Sequence, residues 1–130
     1  MTKKIGEVAL MFNISVDTLR YYEKIDLLGK VPRNPSGIRH YDEILITRLR
    51  FIRHAQRMGF SLDLVKDLLN FREQPANVKP QVREVIQQKL IELEQQIHDL
   101  SQLRDELYAL SKECEKSLEA DCPILKKFEK

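Results

Sequence analysis

Residues 13–28 read NISVDTLRYYEKIDLL, and the way this stretch breaks and restarts decides the fold. Ser15 carries a side-chain oxygen just ahead of a helical run, where it can accept from the free amides of a first turn. It therefore predicts a short helix through VDTLRYYEKI, residues 16–25. Upstream, Ile5, Val8, Ala9, Met11 and Phe12 recur at helical spacing and mark another short helix. Two short helices joined by about three residues make a helix-turn-helix candidate. Many small helical domains contain such a pair, so the pair alone does not name a function.

Working outward, residues 27–43, LLGKVPRNPSGIRHYDE, cannot be helical, because Gly29, Pro32, Pro35 and Gly37 interrupt them. NPSG has the composition of a β-turn, and KVPR and IRHY on either side predict a short hairpin, or wing. Asp42 is placed to cap EILITRLRFIRHAQRM, with Ile44, Leu45, Leu49, Ile52 and Ala55 as the apolar face. Arg48, Arg50, Arg53 and Arg57 line the opposite face, where solvent or ion pairs suit the first three better than DNA. Gly59 ends that helix and Ser61 caps LDLVKDLLNF.

Gln74-Pro75-Ala76-Asn77 marks a boundary, and Pro80 fits the first turn of a helix free of further Pro or Gly until Pro123. Its apolar residues, from Val82 and Ile86 through Leu107 and Leu110, step by three or four, close to the 3.5 average of a coiled coil. About 34 residues of helix would span ~50 Å. One apolar stripe of that length cannot be buried within a small protomer, so a second copy is its natural partner. The alternative is packing along its own domain. The expected organisation is a small helical domain over 1–75, a dimerisation helix over 76–113 and a cysteine-bearing segment over 114–130.

Composition narrows the class. Of 130 residues, 42% are hydrophobic and 32% charged, as in a chain rich in exposed helix. Residues 1–75 hold 13 Lys/Arg against 9 Asp/Glu, whereas residues 76–130 hold 9 against 11. A polyanion would therefore meet the first half, although so small an excess does not establish nucleic-acid binding. No apolar run approaches the ~18 residues of a membrane span, and the N-terminal stretch lacks a cleavage site. A cytoplasmic protein with reduced thiols is expected. His40, His54 and His98 stand apart from any Ser-His-Asp set or Glu-x-x-His pair, and no phosphate loop is present, so an enzyme is not expected.

In this order the pieces resemble the MerR family of transcription regulators. The resemblance rests on TLRYYEKIDLL at 18–28, on Arg33, Gly37, Arg39 and Tyr41 in R-x-x-x-G-x-R-x-Y, and on RLRFIRHAQRMGFSL at 48–62. It covers essentially the whole chain. It implies an all-α fold with a small β-wing: a winged helix-turn-helix, a helical pair as second wing, and a long antiparallel dimerisation helix. It places Arg20, Tyr21 and Tyr22 on the recognition helix, with Ser15, Asp17 and Thr18 at its start. Arg33, Arg39 and Tyr41 fall in the wing and Arg57 beside the helical pair, all as DNA-binding candidates. One of the two adjacent tyrosines should instead face the core, since neighbours on a helix diverge by ~100°. Asp26 stands where members commonly have glycine, and Ile38 where the wing commonly has tyrosine. The implied partners are double-stranded operator DNA, a second subunit and RNA polymerase, with no membrane. The resemblance further implies that an over-long promoter spacer is distorted so that transcription is activated.

The two cysteines, Cys114 and Cys122, are followed by Pro123-Ile124, a pattern similar to that of the copper-efflux branch. That likeness implies one Cu(I), or Ag(I) or Au(I), per subunit, and control of a metal-efflux or resistance promoter. Two thiolates alone suit a soft monovalent ion in near-linear geometry, whereas zinc wants about four ligands. Divalent-metal members add a third cysteine near the start of the dimerisation helix, where this chain has none. The iron–sulfur branch needs four. EKSLEAD between the cysteines has good helix propensity, and as continued helix it would hold the sulfurs ~12 Å apart. Two alternatives stay open: thiol oxidation or electrophile sensing with no metal, and a DNA-independent coiled-coil metal-binding protein.

Overall fold

The computed structural model describes every residue except Met1, Pro75, Glu119 and Asp121. Its helices are α1 (Ile5–Phe12), α2 (Val16–Lys24), α3 (Glu43–Arg57), α4 (Leu62–Glu73), α5 (Lys79–Lys116) and α6 (Pro123–Phe128). Extended pairing among the described residues consists of two antiparallel bridges, Lys3 with Tyr41 and Arg33 with Arg39. The chain divides into two compact units, Met1–Val78 and Lys79–Lys130.

In the first unit, sharp corners join short helices. Asn13 adopts φ 54° after α1, and Ser15 Oγ then accepts the Thr18 amide at 3.0 Å to start α2. After α2, Asp26 takes φ 61° and the Leu27 amide reaches back to the Tyr22 carbonyl at 2.9 Å. Asp26 itself makes the left-handed corner at this point. Asp42 and Ser61 cap α3 and α4 through the amides of Leu45 and Leu64. Val8, Leu19, Leu27, Leu49, Ile52 and Leu69 meet in the core, each fully buried.

Two details of α3 differ from expectation or sharpen it. Ile44 is 79% exposed, and Ile46 takes the buried place beside Leu45. The two lie on opposite edges of the Leu45–Leu49–Ile52 stripe, and only the Ile46 edge meets the core. Arg48 turns inward: its Nε donates to the Leu27 carbonyl at 2.8 Å and its terminal nitrogen pairs with Glu73. Lys66 of α4 likewise donates to the Ile25 carbonyl at 2.8 Å. These cations satisfy carbonyls left over where α2 ends, so α3 and α4 hold the turn behind α2.

The second unit is dominated by α5, 38 residues and about 57 Å long. None of its residues is buried. Leu93, Ile97, Leu100, Leu103 and Leu107 are all exposed. The helix stops at Lys116 and α6 folds back on its last turns, where Lys127 Nζ pairs with the Glu113 carboxylate at 2.8 Å.

Candidate functional site

The first cluster is built on α2 and the turn that follows. Arg20 and Tyr21 are exposed on α2, Tyr21 by 51%. Arg20 lies 3.7 Å from Asp17, one turn earlier, and the Thr18 hydroxyl bonds Ser15 at 2.8 Å. Asn34 shapes the turn: its side-chain oxygen accepts the amides of Ser36 and Ile38, and Gly37 supplies φ 81°. The Arg33–Arg39 bridge then sets two guanidinium groups beside α2, and both converge on Glu23. Arg39 Nε is 2.6 Å from one carboxylate oxygen and an Arg33 terminal nitrogen 3.6 Å from the other. Arg57 is exposed at the end of α3.

Of the two adjacent tyrosines Tyr22 is the one that faces the core, as expected of one of them, whereas Tyr41, expected to face DNA, is also a core residue. Tyr22 is 2% exposed and its hydroxyl donates to Gln56 Oε1 at 2.6 Å. Tyr41 is fully buried because its backbone exchanges two 2.8 Å bonds with Lys3, turning the ring inward. Its hydroxyl has no partner among the described residues. Burial, and then the Glu23 charge, push the Tyr41 phenol above its usual pKa. Residue pattern alone did not reveal Glu23, because its partners lie 10 and 16 positions away across the turn.

The second cluster is the cysteine pair. Cys114 and Cys122 sulfurs are 3.8 Å apart and α5 ends at Lys116, so the continued-helix alternative fails. Cys122 precedes α6, whose Pro123 occupies the first turn. The amides of Leu125 and Ile124 lower the Cys122 pKa, although neither forms a capping hydrogen bond. Cys114 moves the other way, raised by its hydrogen bond to Cys122 and by the neighbouring thiolate charge. The pair therefore titrates as a unit, with Cys122 the first to ionise. Among the described residues no group of three or more His, Cys, Asp or Glu converges.

Residues 3–71 match the family described as MerR HTH family regulatory protein, and residues 46–110 match MerR, DNA binding. The chain belongs to the MerR family. MerR-family proteins are DNA-binding transcription regulators rather than enzymes. The regulator ZntR of Escherichia coli K12 is 38% identical over 112 residues, 85% of this chain and 79% of that one. The regulator CueR of Yersinia pestis is 36% identical over 121 residues, 93% of this chain and 87% of its own. Among solved structures, PbrR691 from Ralstonia metallidurans CH34 in complex with lead(II) matches with a TM-score of 0.80. It is 29% identical, over 97% of this chain and 98% of that one. The long exposed α5 of this MerR-family chain is part of that shared fold. No helix among the described residues is long and apolar enough to cross a membrane.

Proposed function

We propose that this MerR-family protein is a homodimeric regulator that grips a pseudo-palindromic operator and switches its promoter when Cys114 and Cys122 hold a soft metal ion. Each subunit would present α2 to a major groove and the 33–39 turn to the flanking backbone. Arg20 suits a guanine edge or a phosphate, and the Tyr21 hydroxyl a phosphate. The exposed stripe of α5 supports the dimer. Activation would follow from distortion of an over-long spacer, which lets RNA polymerase engage both promoter elements and makes DNA deformability part of the specificity.

One observation carries the inducer: two thiols 3.8 Å apart with no third donor group gathered about them among the described residues. A linear S–metal–S unit with bonds of ~2.3 Å spans about 4.6 Å, so the sulfurs need part by less than an ångström. That donor set suits Cu(I), Ag(I) or Au(I), one per subunit. Cys122 offers the readier thiolate, Cys114 gives up its proton on binding, and α6 is thereby held to the end of α5. This joins the sensing end to a two-state element that the DNA can feel. The same short separation supports a second reading, a reversible disulfide closing to about 2.05 Å as the signal.

A Cu(I) titration of the reduced dimer against a competing chelator, with X-ray absorption on the product, tests the first reading. One ion per subunit on two sulfurs is expected, and Cys122→Ser should abolish the transcriptional response to metal while leaving DNA affinity intact. Tighter binding of Zn(II) or Pb(II), with three or more ligands, would move the assignment to a divalent ion. Absence of metal binding together with oxidant-dependent transcription would favour the disulfide.

A further inference from the structure

We propose that Glu23 is a positioning residue of the DNA-reading face: it fastens Arg33 and Arg39 to α2 and keeps that face selective for its operator over other duplexes. The inference rests on the operator-binding reading above and assigns a specificity device within it.

The geometry is that of one carboxylate shared by two arginines. Arg39 gives its Nε edge to Glu23 at 2.6 Å, and Arg33 approaches the second oxygen at 3.6 Å. The backbone bridge between Arg33 and Arg39 holds the two across the 34–37 turn, so Glu23 ties both legs of that turn to α2. Engaging Nε leaves the two terminal nitrogens of Arg39 as a fork of fixed direction for an outside acceptor such as a phosphate. The Arg39 and Glu23 side chains are only 22% and 21% exposed, so water screens this contact less than a surface pair. The buried Tyr41 ring lies beneath the same group, close enough to feel the charges of Glu23, Arg39, Arg20 and Arg33.

Glu23 acts on DNA in two opposed ways. Its negative charge beside Arg20, Arg33 and Arg39 lowers attraction to any polyanion, whatever its sequence. Its hydrogen bond orders the fork that must meet the operator backbone in register. Neutralising it without changing its shape separates the two effects, because generic attraction rises while ordered contact falls. A residue that merely stabilised the fold would move both affinities the same way.

The test uses the full-length dimer, wild type, E23Q and E23D. The probes are a duplex recovered by the wild-type protein from a random-sequence pool and an unrelated duplex of equal length. Each is titrated between 50 and 200 mM salt, and thermal melting confirms that all three proteins are folded. For E23Q, affinity for the selected duplex should fall about tenfold. Its affinity for the unrelated duplex should rise about threefold, with a log–log salt slope steeper by about one. E23D keeps the charge on a shorter arm. It should hold the unrelated-duplex affinity at the wild-type value and recover part of the selected-duplex affinity. Parallel loss on both duplexes, or no change on either, overturns the proposal. A wild-type protein that recovers no preferred duplex overturns the operator reading and this proposal together.

Discussion

Tyr22→Phe and Tyr21→Phe should separate stability from DNA binding at adjacent residues. Tyr22 is 2% exposed and its hydroxyl donates to Gln56 Oε1 at 2.6 Å. Phenylalanine keeps the ring in the core and removes only that donor. Gln56 is half-buried and keeps a longer contact from Arg53 at 3.4 Å, so water and Arg53 recover part of the loss. The net cost should be near the middle of the range for a single hydrogen bond, about 1 kcal/mol. If the unit Met1–Val78 melts as one transition, that is a fall of roughly 4–8 °C. Operator affinity at 25 °C, well below the transition, should not change. Tyr21→Phe should do the reverse: the residue is 51% exposed, so melting stays within about 0.5 kcal/mol of wild type while affinity drops. Calorimetric melts paired with fluorescence-anisotropy titrations measure both quantities. A Tyr22→Phe variant that melts with the wild type would refute the contribution of the Gln56 hydrogen bond, and one that loses as much affinity as Tyr21→Phe would refute the core placement of Tyr22.

Four further predictions address other parts of the molecule. Tyr41→Phe removes a buried hydroxyl that has no partner among the described residues, so urea denaturation should show equal or greater stability, by up to about 1 kcal/mol. A clear loss would mean that an internal water satisfies the oxygen. Asp26→Gly relieves a Cβ at φ 61° and should stabilise by about 0.5 kcal/mol in the same assay; a destabilised variant would show that the carboxylate supports the corner. For the thiols, iodoacetamide followed by mass spectrometry should label Cys122 ahead of Cys114 at neutral pH, because the amides before Leu125 and Ile124 lower the former and the pair's own hydrogen bond raises the latter. Metal affinity should then climb with pH, about tenfold per unit between the two pKa values, where one proton leaves per ion bound. It should level off above the raised Cys114 value, and a pH-independent affinity would refute the shared titration.

Local chemistry in the sequence was enough for the helices and their starts. Ser15, Asp42 and Ser61 are the short polar side chains that capping needs, and each caps in the structure. What it could not supply was the outcome of long-range pairing. Tyr41 looks like an exposed tyrosine at the end of a basic turn until Lys3, 38 positions earlier, pairs with its backbone and rotates the ring inward. Ile44 and Ile46 fit the helical period equally well, and only the packing of α3 chooses between them. The cysteine segment was ambiguous for another reason. EKSLEA favours helix locally, whereas Pro123 disfavours helical backbone at Cys122. The structure ends α5 at Lys116 and returns α6 to Glu113, a contact between residues 14 positions apart.

The absence of any buried residue in α5 has a consequence for how this protein responds to its own abundance. A 38-residue helix with no buried leucine has little to hold it beyond backbone hydrogen bonds, local charge pairs and the return of α6 to its last turns. In the proposed dimer, burying that stripe makes association part of folding, so the melting temperature should rise with protein concentration. Amide exchange along α5 should slow in step. Dilution would then return the helix to rapid exchange before it disturbed Met1–Val78, whose core lies within its own unit.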